Sequence, residues 1–146
     1  MSARPLLSLR LTLALALAFA GGIALAKEEA KDPVVHARIA LMQSLKGDMG
    51  TLSDMAEGKA PFDAAQAEAA IAALRDGADK VETAFRAHAD DPVSNALPDI
   101  WNSPGEFRQK TNRLLKAAND LDAGDLANTL PALGAACKDC HGRFKM

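Results

Sequence analysis

The amino-acid sequence predicts an all-α protein: an antiparallel up-down-up-down four-helix bundle, joined to a covalently attached group near its C-terminal end. Three observations carry the bundle. The chain has no Tyr, few β-branched runs and many Ala, Leu, Lys, Glu and Gln, residues that favour helix. Apolar side chains recur at intervals of three and four in four separate stretches, the period of an amphipathic helix. The stretches are joined by mostly short connections that carry capping residues, which sets neighbouring helices antiparallel. No repeat, low-complexity tract or second domain interrupts the pattern.

The first helix is predicted to start at Asp32 as N-cap, with Pro33 at its first position. Its stripe runs Val35, Ile39, Met42, Leu45, Met49, Leu52, Ala56, and Gly58 ends it. Pro61-Phe62-Asp63 opens the second helix, with Asp63 and Gln66 spaced as a capping box. Ile71, Leu74, Ala78, Val81 and Phe85 form its inward face. A long connection from Asp90 to Asn102 then holds Pro92, Pro98 and the only Trp, Trp101. Ser103-Pro104-Gly105-Glu106 predicts another capping box, and the third helix turns Phe107, Thr111, Leu114, Ala118 and Leu121 inward. Gly124-Asp125 is expected to end it and cap the fourth, whose seam is Leu126, Leu130, Leu133, Cys137, Cys140 and Phe144. Pro131 inside that pattern predicts a kink or a start delayed to near Thr129.

The N-terminus reads as a secretory signal peptide over residues 1–26. Arg4 and Arg10 give a basic start, the run from Leu11 to Ala20 is apolar, and Ala24-Leu25-Ala26 supplies a small-x-small cleavage site. The apolar stretch from Leu11 to Ala26 falls short of the roughly 20 residues of a spanning helix, which argues against an anchor. Cleavage leaves one domain, residues 27–146, which the export signal sends to the periplasm. With Arg4 and Arg10 gone, 15 basic residues face 19 acidic ones, so the mature chain is at −4. A mildly acidic surface argues against nucleic acid or anionic membrane as a partner.

The chemistry is concentrated in Cys137-Lys138-Asp139-Cys140-His141, the C-x-x-C-H signature of c-type haem attachment. Two thiols three residues apart project to one helix face and form thioethers with the haem vinyl groups, and the following imidazole binds the iron. These are the only cysteines. A redox dithiol would be expected after a strand at a helix N-terminus, whereas this motif lies in the last helix. A zinc site would need His36 or His88 at spacings that match no zinc pattern, and a disulfide would close only a tiny loop. No acid pair, serine–histidine constellation or phosphate loop points to an enzyme.

The position of this motif near the C-terminus, with Arg38-x-x-x-Met42, Pro98-x-Ile100-Trp101 and Gly124-Asp125, resembles the class II cytochromes c, which comprise cytochrome c′ and cytochrome c-556. The likeness extends over essentially all of residues 27–146. It implies one covalent haem c held by Cys137 and Cys140, with His141 as the proximal ligand. It further implies that Arg38 pairs with a haem propionate and that Met42 faces the distal side of the iron. The basic residue four after the histidine, commonly Arg in the family, is Lys145 here. Many members form homodimers through the first two helices, and the outer face Ala65, Ala69, Ala72 is too neutral to decide this.

Met42 divides the functional expectations. It lies about 13.5 Å along the first helix at about 1.5 Å per residue, a depth suited to the distal side of a haem hung from His141 on the antiparallel fourth helix. A Met42 sulfur on iron gives a low-spin electron carrier that works with periplasmic redox partner proteins. A Met42 that only packs over the iron leaves a five-coordinate site open to NO or CO. Met49 and Met55 read as core residues, and His36 and His88 as solvated ones.

Overall fold

Asp32 starts the first helix as its position predicts. In the computed structural model, which describes residues 28–146, its carboxylate accepts from the N–H groups of Val34 and Val35 at 2.8 and 3.0 Å. Helix α1 (Pro33–Ala56) follows with proline at its first position. It ends at Gly58, whose φ of +70° is the left-handed conformation that glycine adopts without a Cβ clash. The expected signal peptide, residues 1–26, lies outside the described residues.

Asp63 caps α2 (Ala64–Ala84) by accepting from the Gln66 N–H at 2.9 Å, while the reciprocal half of the expected capping box is not made. The long connection contains a four-residue helix that the sequence did not announce, α3 (Asp99–Asn102). Helix α4 (Pro104–Asn119) starts on Pro104, but Ser103 makes no side-chain cap bond. The expected second capping box is absent because Glu106 turns to Arg143 instead, at 3.2 Å. A 3₁₀ turn over Ala123–Asp125, capped by Asp122, leads into α5 (Leu126–Phe144), whose N-cap is the expected Asp125, though its side chain makes no cap bond. That helix starts at Leu126, not at Thr129. Pro131 is exposed near its first turns, where its missing N–H forfeits a single backbone bond.

The four long helices pack cyclically, α1 on α2, α2 on α4, α4 on α5 and α5 back on α1, with α5–α1 the sparsest contact. The core is continuous through Leu52, Ile71, Leu74, Val81, Phe107, Leu114, Leu130, Leu133 and Phe144. Gly77 of α2 lets α1 approach closely: a Cβ there would stand 2.6 Å from Leu45 Cδ2 of α1, and that leucine would have to shift. Two arginines satisfy the carbonyls left open at helix C-termini. Arg38 of α1 donates to Ala84 O and Ala87 O at the end of α2, and Arg75 of α2 donates to Ala118 O, Asn119 O and Leu121 O at the end of α4. The tail pairs with the long connection: Leu97 N–H donates to Phe144 O at 2.9 Å and Met146 N–H to Asn95 O at 3.0 Å. No helix among the described residues is long and apolar enough to cross a membrane.

Two predictions follow from this packing. Leu52 is fully buried, so Leu52→Ala is expected to cost about 2–5 kcal/mol in chemical denaturation. Asp91 accepts from the N–H groups of Lys31, Asp32 and Val93 at 2.7, 3.0 and 3.1 Å, clamping the start of α1 to the long connection. The bonds from Asp32 and Val93 hold its carboxyl below the ordinary 3.8. A lowered folded-state pKa stabilises above the ordinary value and is lost as pH falls through the lowered one. Asp91→Asn should therefore lower the melting temperature at pH 7, and its deficit against the wild type should shrink below about pH 4.

Candidate haem-attachment site

Helix α5 presents Cys137 and Cys140 on the same seam as buried Leu130 and Leu133, both half-buried, both free and both packed against the core. Burial pushes the Cys137 thiol up and carries Cys140 up to about 11. Thiols so raised are protonated at neutral pH, the opposite of a catalytic dithiol, whose thiolate is stabilised. No group of three or more His, Cys, Asp or Glu side chains placed to hold a metal ion occurs among the described residues. His141 is exposed, but partial burial of its ring and the Lys145 charge lower its pKa. Its imidazole is therefore neutral at pH 7, the form that coordinates iron.

Asp139, between the two cysteines, is tied to α4. It accepts from Lys110 at 2.7 Å and from Arg113 at 3.4 Å, and these bonds lower its pKa. Two residues beyond His141, Arg143 pairs with Asp99 of α3 and Glu106 of α4, and Phe144 packs edge-on against Phe107 with centroids 5.2 Å apart. The turn that carries the C-x-x-C-H motif is thus held from both sides. Neither partner set was legible from the motif alone, because Lys110 and Glu106 lie 29 and 37 residues away from the residues they bind.

The register of α1 against α5 brings the other expected residues to this turn. Met49 Cε stands 3.4 Å from the place a Cβ on Gly134 would occupy, so these two positions face each other. Seven residues back along α1 and seven forward along antiparallel α5 are both about 10.5 Å of rise, which sets Met42 level with His141. Four residues further back, Arg38 is 3 % exposed. Its Nη1 is buried without a hydrogen-bond partner, while burial lowers the guanidinium pKa against the opposing effect of Asp32.

The burial pattern of α1 singles out the same place. Val35, Leu52 and Met55 near its ends are buried, whereas Ile39, Met42, Leu45 and Met49 in its middle are only half-buried. A half-buried apolar strip faces half-buried cysteines, with an unpaired buried cation at one end. Those residues fit a flat apolar group that carries carboxylates, as haem does. His88 is exposed, tilted against Trp101 with centroids 4.3 Å apart, and His36 is exposed, so neither belongs to this strip.

A helical bundle with C-x-x-C-H on the inward seam of its last helix defines a class, the four-helix c-type cytochromes. A family model for cytochrome c′ matches residues 33–145, and the chain belongs to that family. Its cofactor is accordingly a single covalently bound haem c. The chain is similar to cytochrome c′ of Rubrivivax gelatinosus, 36% identical over 66% of this chain and 81% of that protein. The crystal structure of that relative superposes with a TM-score of 0.70 over 77% of this chain and 94% of that one, at 27% structural-alignment identity. Cytochrome c-556 of Agrobacterium fabrum is 29% identical over 77% of this chain and 80% of its own. The nitric oxide complex of a cytochrome c prime variant from Alcaligenes xylosoxidans is 25% identical, with a TM-score of 0.69 over 77% and 93% of the two chains.

The raised thiol pKa values give a direct check on the haem-free chain. Alkylation by iodoacetamide at pH 8 is expected to be slower than for free cysteine and to keep accelerating toward pH 11, the range where Cys140 ionises.

Proposed function

We propose that this chain is an exported electron carrier whose haem is held by Cys137, Cys140 and His141 and ligated on its other face by Met42. The observation that carries this reading is the register of α1 against α5, which sets Met42 level with His141 and on the face that Met49 turns toward α5. Haem iron with His and Met axial ligands exchanges one electron without changing ligands and has a raised potential. The chain contributes the remaining work. Cys137 and Cys140 fix the haem to α5, and neutral His141 supplies the proximal nitrogen. Arg38 offers its unpaired Nη1 to a haem propionate, and the apolar strip Ile39, Met42, Leu45 and Met49 keeps water from the iron. Signal-peptide removal after Ala26 places residues 27–146 in the periplasm, where redox partner proteins would meet the haem edge.

A second reading has its own support. The relative from Alcaligenes xylosoxidans is described as a nitric oxide complex, and the present chain matches it over most of its length. If Met42 only packs over the iron, the same apolar strip forms a distal pocket that admits NO or CO.

Absorption spectra of the purified protein, ferric and ferrous, with and without CO, separate the two. Split low-spin ferrous bands that ignore CO, converted by Met42→Ala into a high-spin spectrum that shifts on CO, are the expected result. A wild-type ferrous spectrum that is high-spin and CO-responsive would instead establish the gas-binding reading. Cys137→Ala/Cys140→Ala is expected to lose acid-stable haem altogether, and retention of covalent haem would overturn the attachment assignment.

A further inference from the structure

The guanidinium of Arg38 is held on several sides and open at one nitrogen. Nε–H donates to Ala84 O at 2.9 Å, Nη2–H donates to Ala87 O, and only Nη1 lacks a partner. Two aromatic rings lie against the guanidinium. The Arg38 Cζ lies 4.9 Å from the Phe85 centroid and 5.2 Å from the Trp101 centroid, both within cation–π range. Trp101 is itself pinned, because its Nε1–H donates to Phe85 O at 2.8 Å and its neighbour Ile100 is buried in the core.

We infer that Trp101 is a positioning residue for the haem site: its anchored indole holds Arg38 with Nη1 turned to a haem carboxylate, and thereby sets the positive charge felt by the iron. This rests on the proposed pairing of Arg38 with a propionate. The physical reason is rotational. An arginine has several rotatable bonds, and two carbonyl acceptors fix one edge of its fork without fixing the plane. An indole against the guanidinium, itself tied to the backbone of Phe85, removes the remaining freedom. A fixed cation beside the haem favours the reduced state, since reduction removes one unit of positive charge from the iron. Loosening the cation, or letting water screen it, favours the ferric state.

The test is the midpoint potential of holoprotein at pH 7 and low ionic strength, for the wild type, R38L, W101L, W101F and R38L/W101F. Removing the charge in R38L is expected to shift the reduction equilibrium about tenfold toward ferric, about 59 mV for one electron. W101L is expected to shift it about threefold the same way, and W101F by less, as loss of a cation–π contact and its anchor predicts. On the R38L background the Trp101→Phe change is expected to do nothing. Wild-type potentials for W101L and W101F beside a shifted R38L would overturn the positioning role and leave Trp101 as packing. An unshifted R38L would overturn the propionate pairing on which the inference stands. If W101L does not fold, the W101F comparison decides: a shift only with Arg38 present supports the inference, and equal shifts on both backgrounds sink it.

Discussion

A positive charge buried to 3 % exposure dictates how one end of this bundle is built. Desolvation of Arg38 is unfavourable unless acceptors surround it, and its pKa is lowered for that reason. The acceptors come from the C-terminus of α2, where carbonyls have no partner within the helix and the helix dipole is negative. Meeting the need of Arg38 therefore also meets the need of α2. The same bonds lock the start of α1 beside the end of α2, and the Asp91 carboxylate reinforces that junction by clamping Lys31 and Asp32.

The four-residue helix α3 extends this constraint across the bundle. Trp101 at its third position covers Arg38, while Asp99 at its first pairs with Arg143, two residues past His141. One short element thus touches the residues that flank both faces of the proposed haem site. The pairing of the tail with Asn95 and Leu97 adds a second tie at the same level. Between these fixed points lies the half-buried strip of α1. Order at the periphery and incomplete burial at the centre is the arrangement expected of a frame whose middle a prosthetic group fills.

What the sequence revealed and what it hid divide by range. Asp32, Pro33 and Gly58 act on backbone groups within a few residues, so the bounds of α1 were readable, and the 3.6-residue period exposed every long helix. The five residues of C-x-x-C-H carry their chemistry contiguously and needed no fold. Long-range competition was invisible. Glu106 has the spacing of a capping-box acid but is taken by Arg143, so Ser103 goes without a cap bond. Met55, not Ala56, closes the apolar face of α1, and Arg38, polar by any pattern, is one of its most buried residues. Periodicity cannot show that, because a guanidinium enters a core only where distant carbonyls and rings await it.

The register places the axial question on a single side chain. Arg38 and Met42 are one helical turn apart on a rigid helix, so the carbonyls and rings that fix Arg38 also fix the height and rotation of the Met42 backbone. The bundle then delivers position 42 to the level of His141 whatever its side chain does. Relatives called cytochrome c-556 and cytochrome c′ match this chain at 29% and 36% identity, so proteins of both names resemble it. The deciding quantity is the conformation of a thioether with three rotatable bonds and little cost to repacking. Extended toward the iron, it completes the coordination sphere. Folded back onto Met49 and Leu45, it lines a pocket. The same scaffold therefore accommodates both outcomes, with the difference confined to one half-buried methionine.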